Sequence, residues 1–343
     1  MSRALDSETI SSASKGDAEK SYTDITRALC IDAEPFLEIE FLGKSHPIPA
    51  GTSVLVDGNN IAVSKAKLVQ AFVVARQILF RNLKDCPNDQ ISHCRDASAV
   101  MLLMDPEHLT AANFRKGLLV RLRDGPRDEF EALLKKELLL VNSYLTSRLH
   151  RHTKSPTLWG HRRWILEFAS SHMKVDVLKD LQSVVLVAAE RHLKNYYAFV
   201  HMRWLIRTYT CSTETLSLHD LPRIIAITKD WCLRHPNDTS GFSFLLFGLS
   251  QCQLAKSTHP DLSNMCSVVC TDVLRLAVSF KWTHESVWVF LRTLVAEYGT
   301  DSDILAFNTA IDDTTKAYPE GQTVLRKAKD WCAKYQQNYL HKP

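Results

Sequence analysis

Eight basic side chains fall within sixteen residues: Arg148, His150, Arg151, His152, Lys154, His161, Arg162 and Arg163. Cations at the end of a helix complement its dipole, which accounts for Arg148 and Arg151 if one helix runs from Asp128 to Arg151. It does not account for Lys154, which lies past that end, at the mouth of the next helix. Ser155 can accept a hydrogen bond from an unpaired amide of a first turn, and Pro156 at the first helical position has no amide to lose. From there Trp159, Arg162, Arg163 and Leu166 stand at offsets 0, 3, 4 and 7 and share one face. A tryptophan on a stripe with two arginines suggests a helix that packs on its neighbours and also presents charge.

That stretch recurs. Asn195 to Trp204 repeats the plan, with Phe199 in the place of Trp159 and with His201 and Trp204 matching His161 and Trp164. Asn237 to Leu246 and Thr283 to Arg292 are further copies, and Asp105-Pro106 followed by Thr110 to Lys116 is a weaker one upstream. The anchors Ala112, Trp159, Phe199, Phe242 and Trp288 are spaced by 47, 40, 43 and 46 residues. Periods of this size predict a helical solenoid in which each helix pair buries its apolar face on the next. Trp159, Trp164, Phe199, Trp204, Phe242 and Trp288 are then structural side chains of the repeat, each worth ~2–3 kcal/mol if fully buried.

The elements follow from apolar periodicity. Residues 1–24 are polar and expected to be mobile. Residues 25–63 are expected to be extended, with short strands near Phe36–Phe41, which alternates, and Ser53–Gly58. Helices begin near Ser64 and are expected over 64–84, 96–104, 110–123, 128–151, 156–171, 175–193, 196–209, 218–234, 239–254, 262–280 and 284–298. A capping helix spans 319–339. The class is all-α, an α-α superhelix forming a crescent of helix pairs, with residues 64–343 as one repeat domain.

Composition narrows the function. A net charge of +4 over 343 residues is too small to argue for nucleic acid. No apolar run is long enough to span a membrane, and the N-terminus has no apolar signal core, so a cytoplasmic location is expected. The nine cysteines are odd in number and scattered, without a Cys-x-x-Cys pair, which favours free thiols over disulfides or a zinc site. A Gly-rich phosphate loop, His-Glu-x-x-His and Gly-x-Ser-x-Gly are all missing.

The Trp-x-x-Arg pattern after a Pro or Asn-Tyr turn, over Lys154–Glu167, Asn195–Trp204 and Glu285–Arg292, resembles the α-subunit repeat of protein prenyltransferases. Ala99–Pro106 followed by Asn113–Lys116 is similar to the type III geranylgeranyltransferase branch. The resemblance covers roughly residues 66–300 and implies a chain inactive alone, wrapped around a β subunit like that of Rab geranylgeranyltransferase. The zinc and the isoprenoid tunnel then belong to the β subunit, and this chain binds no cofactor. Geranylgeranyl diphosphate is the implied co-substrate, and the acceptor is a protein with a C-terminal cysteine, including one already farnesylated. In the family a lysine five residues before the motif tryptophan reaches the diphosphate, which here is Lys154, although Ser155-Pro156 replaces the usual Asn-Tyr. The family's Asn-Tyr-His becomes Asn195-Tyr196-Tyr197, which with Arg162 are the expected substrate contacts. The competing reading of Asn195 is a helix cap, and His161 and His201 read as repeat structure. The alternative function is a non-catalytic helical scaffold for a protein or peptide, but tetratricopeptide units run 34 residues, shorter than the repeats here. A third possibility is a diverged α chain that only stabilises its partner.

Overall fold

The computed structural model describes residues 17–30, 35–43, 46, 49, 51–212, 220–257 and 259–339. They divide into two compact units, residues 1–175 with 182–201, and residues 176–181 with 202–343. Both are built from packed helices, and the strands of the described residues all lie before residue 65. No described helix is long and apolar enough to cross a membrane.

The first unit opens with α1, Ala18–Leu29, capped by Asp17, whose carboxylate accepts from the Lys20 amide at 2.9 Å. This corrects the expectation of a mobile and then extended chain here; residues 1–16 lie outside the described residues. Tyr22, Ile25, Ala28 and Leu29 are buried and recur on one face, while Lys20, Thr23, Asp24 and Arg27 dilute the average composition. A one-sided stripe is enough to hold a helix on its neighbours.

Three strands follow: β1 Glu38–Leu42, β2 Val54–Asp57 and β3 Asn60–Ser64. Their order is β1-β3-β2, with β1 parallel and β2 antiparallel to β3. Ile39, Ile61 and Val63 are buried on one face. Gly58, at φ 58°, supplies the left-handed residue of the β2–β3 turn.

Helix α2, Lys65–Arg81, starts where the sequence reading placed a helix, capped by Ser64. Then come α3 Ile91–Met104, α4 Leu109–Leu122 and α5 Arg127–Thr146. The expected helix to Arg151 stops at Thr146, where Ser147 turns extended. The Arg148 amide instead donates to the Ile39 carbonyl of β1 at 3.2 Å. Arg148 and Arg151 therefore do not ride on that helix end: Arg151 pairs with Asp105 at 2.8 Å, and Arg148 approaches Glu38 at 3.9 Å. A four-residue turn of helix, α6 His150–Thr153, leads into α7, Pro156–Phe168. The single helix expected over 175–193 is three pieces: α8 Val177–Asp180, a π turn Leu181–Val185 and α9 Leu186–Arg191. Helix α10 covers Tyr196–Ser212.

The second unit holds α11 Leu221–Arg234 packed on α12 Thr239–Ala255, and α13 Met265–Ser279 on α14 Glu285–Tyr298. Gly241 permits the first of these contacts, since a β-carbon there would stand 2.6 Å from the Trp231 ring. The helix α15, Asp301–Ala317, had no counterpart in the sequence reading. It starts at a capping box in which the Thr300 hydroxyl and the Asp303 carboxylate each take the other's amide. Helix α16, Gln322–Tyr339, packs on α14 and α15.

Candidate functional site

The peptide that carries Lys154 is pinned from two sides. The Thr153 carbonyl accepts from Trp159 Nε1 at 2.9 Å and from Asn195 Nδ2 at 2.7 Å. Ser155 caps α7 through the Leu158 amide at 3.0 Å, and its hydroxyl donates to the Pro106 carbonyl at 3.1 Å. Lys154 lies between these anchors with its side chain exposed, and among the described residues it has no carboxylate partner. The imidazoles of His150 and His192 stand 5.7 Å apart beside it, and Lys154 acts electrostatically on His192. Tyr196 and Tyr197 are exposed, their rings edge to face at 5.6 Å.

The same clamp recurs in the second unit. Trp288 Nε1 donates to the carbonyl of Trp282, six residues earlier, at 2.7 Å, as Trp159 does to Thr153. The Ser286 hydroxyl donates to the Pro236 carbonyl, as Ser155 does to Pro106. Trp159, Phe199, Phe242 and Trp288 are buried, while Trp164 and Trp204 are half-buried.

Two expected substrate contacts are placed differently. Arg162 is fully buried. Its Nε donates to Asn142 Oδ1 of α5 at 2.8 Å, and its Nη1 donates to His201 Nε2 at 2.5 Å. Arg115 holds the same repeat position one unit upstream and is spent the same way. Its Nε and Nη2 donate to the two carboxylate oxygens of Glu137 on α5, at 2.8 and 2.5 Å, while His161 Nε2 donates to Glu137 at 2.7 Å. Burial alone would raise Glu137, but the Arg115 charge and the His161 bond override it and hold that carboxyl far below the usual range. A guanidinium enclosed in this way locks adjacent helices and does not reach a ligand. Asn195 is also buried, spent on the Thr153 carbonyl and on capping α10 through the Ala198 amide at 3.3 Å.

Histidines inside the first unit are expected to make it acid-sensitive. His152 Nε2 donates to the carbonyls of Leu102 and Leu103 at 3.1 and 3.0 Å, and burial pushes its pKa down to about 4. His201 is held well below its ordinary value by burial and then by the Arg162 charge. In the unfolded chain imidazole titrates near ~6.5. The folded value is depressed, so this stabilisation is complete above pH ~6.5 and is lost as the pH falls toward 4. For His152 alone that amounts to about 3 kcal/mol. Urea unfolding at stepped pH should show the loss, and His152→Gln should flatten the slope. A wild-type profile flat across this range would contradict the account.

The side chains suited to nucleophilic or metal work are few. Burial pushes the thiols of Cys94 and Cys270 up to about 12 and those of Cys252 and Cys332 up to about 11, which disfavours the reactive thiolate. Among the described residues no three His, Cys, Asp or Glu side chains are grouped to hold a metal. One basic residue escaped the sequence reading. Lys194 stands five before Phe199, as Lys154 stands five before Trp159, so the repeat offset could have found it. Glu137 and Asn142 were also missed; the signal was a polar pair within the apolar stripe of α5.

Comparison with known proteins agrees with the repeat pattern. Residues 158–273 match the ECM9 middle domain. Protein prenyltransferase alpha subunit repeat-containing protein 1-A of Xenopus laevis is 27% identical over 227 residues, 61% of this chain and 47% of that protein. The Homo sapiens protein prenyltransferase alpha subunit repeat-containing protein 1 is 26% identical over 215 residues, 57% of this chain and 48% of its own. Protein ECM9 of Saccharomyces cerevisiae is 27% identical over 161 residues, 46% of this chain and 40% of its own. The chain spans about half the length of these relatives or less. It is thus similar in sequence to the protein prenyltransferase α-subunit repeat-containing proteins, the family whose motif its Trp159 and Arg162 helix resembles.

Proposed function

We propose that this chain is the α subunit of a heterodimeric protein geranylgeranyltransferase of the type III kind, acting in the cytoplasm and inactive alone. Its partner is a β subunit similar to that of Rab geranylgeranyltransferase, which supplies the zinc and the isoprenoid channel. The acceptor is a protein with a C-terminal cysteine, including one already farnesylated. The observation that carries this reading is Lys154: an exposed ammonium that has no carboxylate partner among the described residues, on a peptide held by two buried donors. Preorganised charge of this sort stabilises negative charge that develops on a departing diphosphate. Tyr196 and Tyr197 add exposed aromatic surface on the same unit, suited to an isoprenoid or a peptide. Co-expression with candidate prenyltransferase β subunits tests the pairing. One of them should co-purify at one-to-one stoichiometry; if none is retained, the reading fails.

The burial of Arg162 and Asn195 favours a second reading, in which the chain is a helical-repeat scaffold that holds a protein partner without touching substrate. The two readings part at the chemical step, since only the first makes transfer depend on Lys154.

A further inference from the structure

The hydrogen bond from Asn195 to the Thr153 carbonyl brings two lysines to one edge. Lys154 directly follows Thr153, and Lys194 directly precedes Asn195. The Lys194 backbone lies in the left-handed region, at φ 60°, which a lysine rarely takes. It is kept there between the end of α9 and the Asn195 cap, and its side chain is exposed. The His150 and His192 rings stand 5.7 Å apart, and the Lys154 charge acts on His192. Carboxylates that approach from neighbouring elements are already engaged. Glu38 of β1 is held by Arg191 at 3.0 Å and approached by Arg148. Asp105 is taken by Arg151, and Glu107 by the Thr157 hydroxyl at 2.6 Å. Glu190, exposed, is the carboxylate on α9 itself.

We propose that His150 and His192, with Lys154 and Lys194, form a proton-linked binding edge for a diphosphate: the ligand binds most tightly when the imidazoles are charged, and its binding draws protons onto them. The inference rests on reading Lys154 as a diphosphate contact and adds to it three residues and a pH dependence. Partial burial, then the Lys154 charge and then His150, hold the His192 pKa below its ordinary value in the free chain. A doubly charged ligand offsets that local field. Charge spread over many oxygens is met by several cations, so the imidazolium forms add donors where two lysines leave oxygens unmet. By linkage, a ligand that raises a pKa must itself bind more tightly as the pH falls through that pKa.

The full chain is titrated with methanedisulfonate, a bridged dianion whose charge is fixed, at pH 6 and pH 8. The Cε1–H resonances of His150 and His192 are followed, assigned through His150→Gln and His192→Gln. The dianion should bind about fivefold or more tightly at the lower pH, and both imidazole titrations should move upward in its presence. The double variant His150→Gln, His192→Gln should keep its fold, checked by thermal melting, and bind equally at both pH values. Lys154→Ala with Lys194→Ala should lose about tenfold at either pH. An affinity independent of pH, histidine titrations unmoved by the dianion, or no binding overturns the proposal. Failure here is distinct from failure of the proposed function. If the edge binds the dianion as described while prenyl transfer ignores Lys154, the edge stands and the enzyme reading falls. If transfer needs Lys154 but the histidines ignore the dianion, only this inference falls.

Discussion

Trp159→Ala is expected to cost about 3–5 kcal/mol of stability and to loosen the Lys154 peptide at the same time. The ring is 3% exposed and lies 5.1 Å from His201, so its removal leaves a cavity beside a buried imidazole. The indole donor to the Thr153 carbonyl is lost as well, which leaves Asn195 as that carbonyl's side-chain donor. Trp159→Phe should recover part of the stability, since it refills much of the volume but not the hydrogen bond. Urea denaturation at pH 7.5 measures both. A loss below about 1 kcal/mol for the alanine variant would mean that the repeat anchor is not structural.

Lys154→Ala is expected to act in the opposite way, slowing chemistry while leaving fold and assembly intact. The side chain is exposed and makes no ion pair among the described residues, so its truncation creates no cavity and leaves no buried charge unpaired. Stabilisation of the leaving diphosphate acts mostly in the transition state. The single-turnover rate in the β-subunit complex should therefore fall about tenfold or more, equivalent to ~1.4 kcal/mol or above. A variant that binds its partner normally and transfers at the wild-type rate makes Lys154 a solvated surface lysine. Together the two variants separate a charge at the site from a side chain that holds the helices together.

The helices with one apolar face were legible because burying one side of a helix imprints its 3.6-residue turn on the sequence. The starts of α2 and α7 were legible from Ser64 and from Ser155-Pro156, where local chemistry alone decides the cap. Helix α1 was not, because its buried stripe is embedded in a strongly polar composition. The end of α5 was hidden for another reason. Leu149 continues the apolar stripe, yet the chain leaves the helix at Ser147 so that the Arg148 amide can pair with β1, a contact more than a hundred residues away in sequence. Arg162 misled because type and spacing show which face a side chain takes, not whether a neighbouring helix covers it. Asn142 and His201 cover it from α5 and α10. Lys194 was readable from the repeat offset, whereas its closeness to Lys154 depends on one hydrogen bond, from Asn195 to Thr153.

The most direct test of the central claim is prenyl transfer by the reconstituted pair. The purified chain, a Rab geranylgeranyltransferase-like β subunit, zinc, geranylgeranyl diphosphate and a protein with a C-terminal cysteine are combined, and the acceptor is weighed by mass spectrometry. The account predicts one added geranylgeranyl group when both chains are present and none with either chain alone. A stable complex that leaves the acceptor unmodified, or a β subunit that transfers equally well without this chain, would contradict it.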